Sequence, residues 1–225
     1  MRHRTREPIL ALNRVPLDES GEPLVDLRRH CRGVRVSRRC LPFLRETVAD
    51  RLNQAQASLP GGLRLWVRTA LRTLDMQRDA YDGYFRRLQE LHPEWPCATL
   101  RRAANRYFAP VDQKAPPGHC TGGAVDVWLL LPGGRPADMA SPFAQWEAPA
   151  TFAQGLTPVA RANRLLLYET MLSVGFSNCE DEFWHYSYGD AAWAVRTGAP
   201  RCVYGLTEPP LPWRLRRPDL RWPRR

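Results

Sequence analysis

Asp126 is the third residue of Ala124-Val-Asp-Val-Trp-Leu-Leu-Leu131, a run that is otherwise wholly apolar. The β-branched and aromatic members of that run, and the Pro132-Gly133-Gly134 turn that closes it, describe a buried strand. A carboxylate inside such a strand is costly unless it is paired or holds a cation. Whatever fold the chain takes must therefore bring polar partners to that point of its core.

Histidine is the natural place to look, and the chain has five, at positions 3, 30, 92, 119 and 185. His3 is in a basic start, His30 in a basic run, and His92 precedes a proline at a helix end, so these three read as exposed or capping residues. His119 lies seven residues before Asp126, in Pro116-Pro-Gly-His119-Cys-Thr-Gly-Gly-Ala-Val-Asp126. The glycine pair Gly122 and Gly123 allows a tight turn that folds the loop back on the strand and brings His119 to Asp126. His185 lies in Asp181-Glu-Phe-Trp-His185-Tyr, again a polar group in an aromatic stretch. Two imidazoles and a carboxylate are a catalytic zinc set with one position open to water; they are equally a pair of satisfied core histidines. If a metal is held, a carboxylate must take and return a proton. Glu182 is the candidate, with Asp181 and Glu180 as neighbours. Residues three apart in a regular strand face opposite sides, so Glu182 must precede the strand or be re-aimed by a bulge.

Periodicity places the other elements. Leu41, Leu44, Val48, Leu52 and Ala55 predict a helix ended by Pro60-Gly61-Gly62. Leu63–Val67 alternates like a strand. A helix follows over Asp75–Leu91, with Ala80, Tyr84, Leu88 and Leu91 on its apolar face. Thr157-Pro158 starts another helix, with Leu165, Leu166 and Leu172 inward and Gly175 at its C-terminal end. Phe183 to Tyr188 reads as a strand, and residues 1–38 as irregular. Without regular β-α-β alternation the class is α+β: a single domain, expected to have a small mainly antiparallel sheet packed by helices and the candidate zinc site at the sheet. The expected division is an irregular arm at 1–20, a domain at 21–206 and a basic tail at 207–225.

The formal net charge of +10 bears on partners. Lys114 is the single lysine, so arginine bias runs along the whole chain and needs no nucleic acid to explain it. The densest run, from Trp213 to Arg225, reads as a solvated tail. The cysteines at 31, 40, 97, 120, 179 and 202 show no Cys-x-x-Cys spacing and read as reduced packing residues. No stretch approaches the ~20 apolar residues that span a bilayer, and no apolar segment follows the basic start. The expectation is a cytoplasmic chain with no nucleic-acid partner and no membrane span, its oligomeric state left open.

Pro117-Gly-His119-Cys-Thr-Gly122-Gly-Ala124-Val-Asp126 and, later, Glu182-Phe-Trp184-His185 occur in order with matching internal spacing, and Arg72 precedes Gln77 by five residues. In these motifs, from about residue 20 to about 190, the chain resembles the VanX-like D-alanyl-D-alanine dipeptidases, zinc peptidases related to the D,D-carboxypeptidases. The resemblance implies one Zn2+ on His119, Asp126 and His185, Glu182 as general acid–base, and Arg72 polarising the scissile carbonyl of a small dipeptide substrate. D,D- or L,D-carboxypeptidase action, or a binding protein that keeps the fold without turnover, are the alternatives. Two positions depart from the family pattern. Its motif serine is Pro117 here, and the aspartate that would hold a substrate ammonium is Ala144, with Glu147 a possible substitute from another direction.

Overall fold

The computed structural model describes residues 7–144, 147–211 and 213. Its elements run α1 (Ile9–Leu12), β1 (Leu24–Asp26), α2 (Leu27–His30), β2 (Arg35–Val36), β3 (Phe43–Arg45), α3 (Glu46–Ser58), β4 (Arg64–Thr69), α4 (Leu74–Leu91), α5 (Cys97–Ala104), β5 (Ala124–Leu130), α6 (Pro158–Ser173), β6 (Ser177–Asn178), β7 (His185–Ser187) and α7 (Ala191–Thr197). The class is α+β, as expected. A five-stranded sheet has the order β2-β4-β5-β7-β6, with every pairing antiparallel except β2 with β4. A separate two-stranded ribbon pairs β1 with β3.

β5 is the central strand, buried along its whole length, which is why it reads as a continuous apolar run. Val125, Val127 and Leu129 alternate with Asp126, Trp128 and Leu130 and so face opposite sides. The first set joins Leu65 and Val67 of β4, Val48 and Leu52 of α3, and Leu167 and Met171 of α6 in the main core. The other face of β5, with Asp126 and Trp128, opens on a cleft. Helices α3 and α6 thus close one face of the sheet, while residues of α4 and α7 line the cleft on the other.

Several expectations are corrected by tertiary contacts. The helix drawn from Leu41 begins at Glu46, and Leu41 and Leu44 lie in a β-bridge and in β3. Pro42 disfavours helical backbone just before it, and the extended chain pairs with β1. The described part of the segment expected to be irregular, residues 7–38, holds α1, α2 and two short strands. The strand expected at Phe183–Tyr188 is only His185–Ser187, because Phe183 and Trp184 belong to a turn. Leu91 and Leu165, placed on apolar faces by spacing, are 47% and 43% exposed. The buried positions of α6 are instead Ala160, Arg164, Leu167, Thr170 and Met171. The tail beyond Trp213 lies outside the described residues, while Trp213 packs edge-on against Phe43 with ring centroids 5.5 Å apart.

Candidate active site

His119 is carried by a single 3-10 turn, Gly118–Cys120, closed by Cys120 N–H to Pro117 O and Thr121 N–H to Gly118 O. Gly122 then takes φ +73°, a conformation that L side chains rarely adopt, and an added Cβ there would lie 2.8 Å from Leu24. The turn returns the chain to β5 at Ala124. His119 Nε2 ends 3.2 Å from Asp126 Oδ1. The pairing of β5 with β7 sets Asp126 directly opposite His185, whose Nδ1 is 3.0 Å from the same oxygen. One ligand atom from each of the three lies within 4.8 Å of the other two, so the set is able to hold a metal ion.

The donor chemistry fits a cation. His119 Nδ1 is 2.8 Å from the Ala70 carbonyl, which can only accept, so that nitrogen carries the proton. Nε2 then turns a lone pair toward a carboxylate oxygen, an arrangement relieved by a further proton or by a metal. Burial, together with Arg72, holds the His119 imidazole below its usual range. Burial alone would raise the Asp126 carboxyl, but the two histidines outweigh it and hold the group well below the carboxylate range. For His185 burial opposes the charged form, and its bond to Asp126 overcomes that and raises the pKa.

Two further groups line the same cleft, which has a volume of about 570 Å³. Arg72 follows β4. Its Nη1 donates to Gln77 Oε1 at 3.1 Å, its Nη2 lies 3.7 Å from Asp126 Oδ2, and its backbone N–H bonds His119 O at 2.9 Å. Gln77 donates in turn to Ala109 O at 2.9 Å, fixing its own orientation. Glu182 does not belong to the strand; it lies in the turn before β7. Its N–H bonds Cys179 O, and its carbonyl accepts from His185 N–H and from the Asn178 side chain. That turn brings Glu182 and His185 to the same cleft, which a regular strand could not do. Burial pushes the Glu182 carboxyl up to about 8. Asp181 instead pairs at 3.1 Å with Arg106, which lines the cleft, and is not itself among the lining residues.

Of the two departures, Pro117 lines the cleft and offers no hydroxyl. Ala144 and Glu147 are outside the cleft lining, and the Glu147 carboxylate closes a local turn by accepting from Ala144 N–H at 3.0 Å. Arg68 is not among the residues singled out from the sequence. Arg68 lines the cleft beside Trp128. The signal was available: Arg64, Trp66 and Arg68 alternate along β4 on the side opposite Leu65 and Val67.

A metal-competent His–Asp–His set on the open face of a mainly antiparallel sheet, with an arginine and a half-buried glutamate beside it, defines a hydrolase of the metallopeptidase type. The chain belongs to the M15 peptidase family described as D-ala-D-ala dipeptidase, which it matches over residues 33–200. A D-alanyl-D-alanine dipeptidase of Synechocystis sp. is 28% identical, the alignment covering 84% of this chain and 89% of that protein. Two solved structures are also similar. One is a vancomycin-resistance D,D-pentapeptidase VanY variant from a VanB-type cassette in complex with Zn(II), with TM-score 0.42, 18% identity and coverage of 71% and 81%. The other is VanYB in complex with D-alanine-D-alanine, with TM-score 0.45, 17% identity and coverage of 71% and 80%. Among the described residues no helix is long and apolar enough to cross a membrane.

Proposed function

We propose that this chain is a zinc-dependent dipeptidase that hydrolyses D-Ala-D-Ala or a related small cell-wall dipeptide. The observation that carries the reading is the meeting of His119, Asp126 and His185 in one cleft with Glu182 and Arg72. Membership of the family and the name of the Synechocystis relative support the substrate class.

His119, Asp126 and His185 would hold the ion, and Ala70 O fixes the His119 tautomer that ligation needs. Bound there, zinc supplies Lewis acidity, lowering the pKa of water and polarising a carbonyl. Glu182 takes a proton from the attacking water and returns it to the leaving amine. Burial raises its carboxyl to about 8, and a dication held by the neighbouring ligands would favour the ionised form, which is the form that accepts a proton. Arg72, held by Gln77 and Asp126, faces negative charge that develops on the carbonyl oxygen mainly in the transition state. Carboxypeptidase action on longer cell-wall peptides is the second reading, favoured by a cleft of about 570 Å³, more room than two alanine residues fill.

The test is zinc content measured together with hydrolysis of D,D-, L,D- and L,L-dipeptides and of a pentapeptide ending in D-Ala-D-Ala. Stoichiometric zinc with turnover of a dipeptide is expected. Turnover of the pentapeptide alone would move the assignment to a carboxypeptidase, and zinc without any turnover would leave a binding protein.

A further inference from the structure

The cleft holds a second arginine whose charge the reaction above does not use. β4 pairs with β5 through Trp66↔Trp128 and Val67↔Val127, and then skips a residue so that Thr69, not Arg68, faces Asp126. Arg68 is the residue at this irregularity, and a bulge is a common device for re-aiming a side chain beside a site. Its guanidinium lies over the Trp66 ring at 4.9 Å and the Trp128 ring at 4.8 Å from the centroids. Stacking fixes the plane of the fork but uses none of its N–H groups. Among the described residues no hydrogen bond or ion pair engages the Arg68 side chain, in contrast to Arg72, which is tied to Gln77 and Asp126. Exposed Arg39 lines the cleft as well, which adds to the positive charge of its wall.

Resting on the peptidase reading, we infer that Arg68 is the anchor for the free C-terminal carboxylate of the peptide substrate. The sheet order β4-β5-β7 sets Arg68 on one flank of Asp126, and Glu182 and His185 on the other. Neighbouring strands are ~4.8 Å apart, and a peptide with its scissile carbonyl near Asp126 carries its terminal carboxylate about one residue, ~3.5 Å, further on. A planar fork with its N–H edge unspent suits a carboxylate in bidentate fashion. The anchor would make a free C-terminus a requirement of the site, whether two residues or five precede it.

The experiment uses the zinc-loaded chain carrying Glu182→Gln, so that bound peptide is not consumed. It is titrated calorimetrically with D-alanyl-D-alanine and with the same dipeptide as its C-terminal amide. The free acid is expected to bind about 10- to 100-fold more tightly than the amide, the range of a charge-assisted pair. Adding Arg68→Met, which keeps an aliphatic stem between the tryptophans, should close that gap, and Arg68→Lys should restore part of it. A gap that survives Arg68→Met overturns the assignment, as does an equal loss for both peptides or no binding of either at millimolar concentration. If Arg68→Met disturbs the fold or zinc content, Arg68→Lys carries the comparison, and a gap as wide as with arginine then rejects bidentate anchoring. Hydrolysis by the zinc-loaded wild type is scored separately. Turnover without the gap removes Arg68 and leaves the peptidase, while the gap without turnover does the reverse.

Discussion

Glu182, His119 and Arg72 differ in what each should lose on substitution. Glu182→Gln keeps size and polarity but cannot accept a proton, so zinc content should stay full while turnover falls by roughly 10²–10⁴. Full activity on a fully zinc-loaded preparation would remove Glu182 from the mechanism, and loss of zinc would make it a ligand. His119→Ala should lose metal and activity together, whereas Arg72→Ala should keep metal and lose rate, because its contact strengthens as the oxyanion forms. A pH effect follows in the metal-free chain. Burial raises the Glu182 carboxyl from 4.5 to about 8, so the folded state binds that proton more tightly than the unfolded state does. The stability this gives is fully present below about 4.5 and is lost as pH rises through about 8. Urea midpoints measured in chelator at about pH 5 and about pH 8.5 should therefore fall more for wild type than for Glu182→Gln. Parallel pH profiles would contradict the burial of this carboxyl.

Between the turn that carries His119 and helix α7 there is one contact with mechanical consequences. Asp190 caps α7 by accepting from Trp193 N–H at 2.7 Å through Oδ1. Its other oxygen is buried without a hydrogen-bond partner among the described residues and lies against Gly118. A Cβ added at Gly118 would come 2.5 Å from Asp190 Oδ2 and 3.1 Å from the Ala124 Cβ. Asp190 cannot retreat without uncapping its helix, so the strain of Gly118→Ala falls on the turn that aims His119. Zinc affinity should drop about 10- to 100-fold with the fold retained, as for other losses of support behind a ligand. Competition with a chelator measures it, and an affinity within about twofold of wild type would show that the turn absorbs the methyl group elsewhere.

At the scale of the whole chain, the two ends differ in what they contribute. Glu7 pairs with Arg196, whose side chain is 8% exposed and also donates to Ser177 and Ser187. α1 packs on α7 through Leu12 and the alanines of that helix. Glu7→Gln leaves the buried guanidinium without its counter-charge and should cost about 3 kcal/mol in denaturant unfolding. At the other end Thr207 N–H donates to Cys120 O at 2.9 Å, and Trp213 packs on Phe43 with the Arg28 guanidinium over its ring. We expect removal of everything after residue 206 to leave a folded, metal-binding chain at a cost of about 1–2 kcal/mol. Insoluble protein from that truncation would make the tail part of the domain.

Residue order alone was enough to single out His119, Asp126 and His185. A carboxylate in an apolar run, a glycine-paired turn before it and a histidine in an aromatic stretch are each local demands on charge and backbone, readable without knowing the fold. The α+β class and the long helix α4 were legible for the same reason, since periodicity over many residues averages out single exceptions. What needed the tertiary structure was direction and competition. Leu41 and Leu44 have helical spacing, yet their segment is extended because the β1–β3 ribbon satisfies its backbone. Leu91 and Leu165 have apolar side chains with no core to meet. Glu182 shares the cleft with His185 only because Cys179 and Asn178 fold a turn between them. Arg68 looked like any strand arginine until the bulge and two tryptophans from different strands fixed its guanidinium in the cleft. Each of these depends on partners distant in sequence or on a local hydrogen-bond choice, and neither is encoded in spacing.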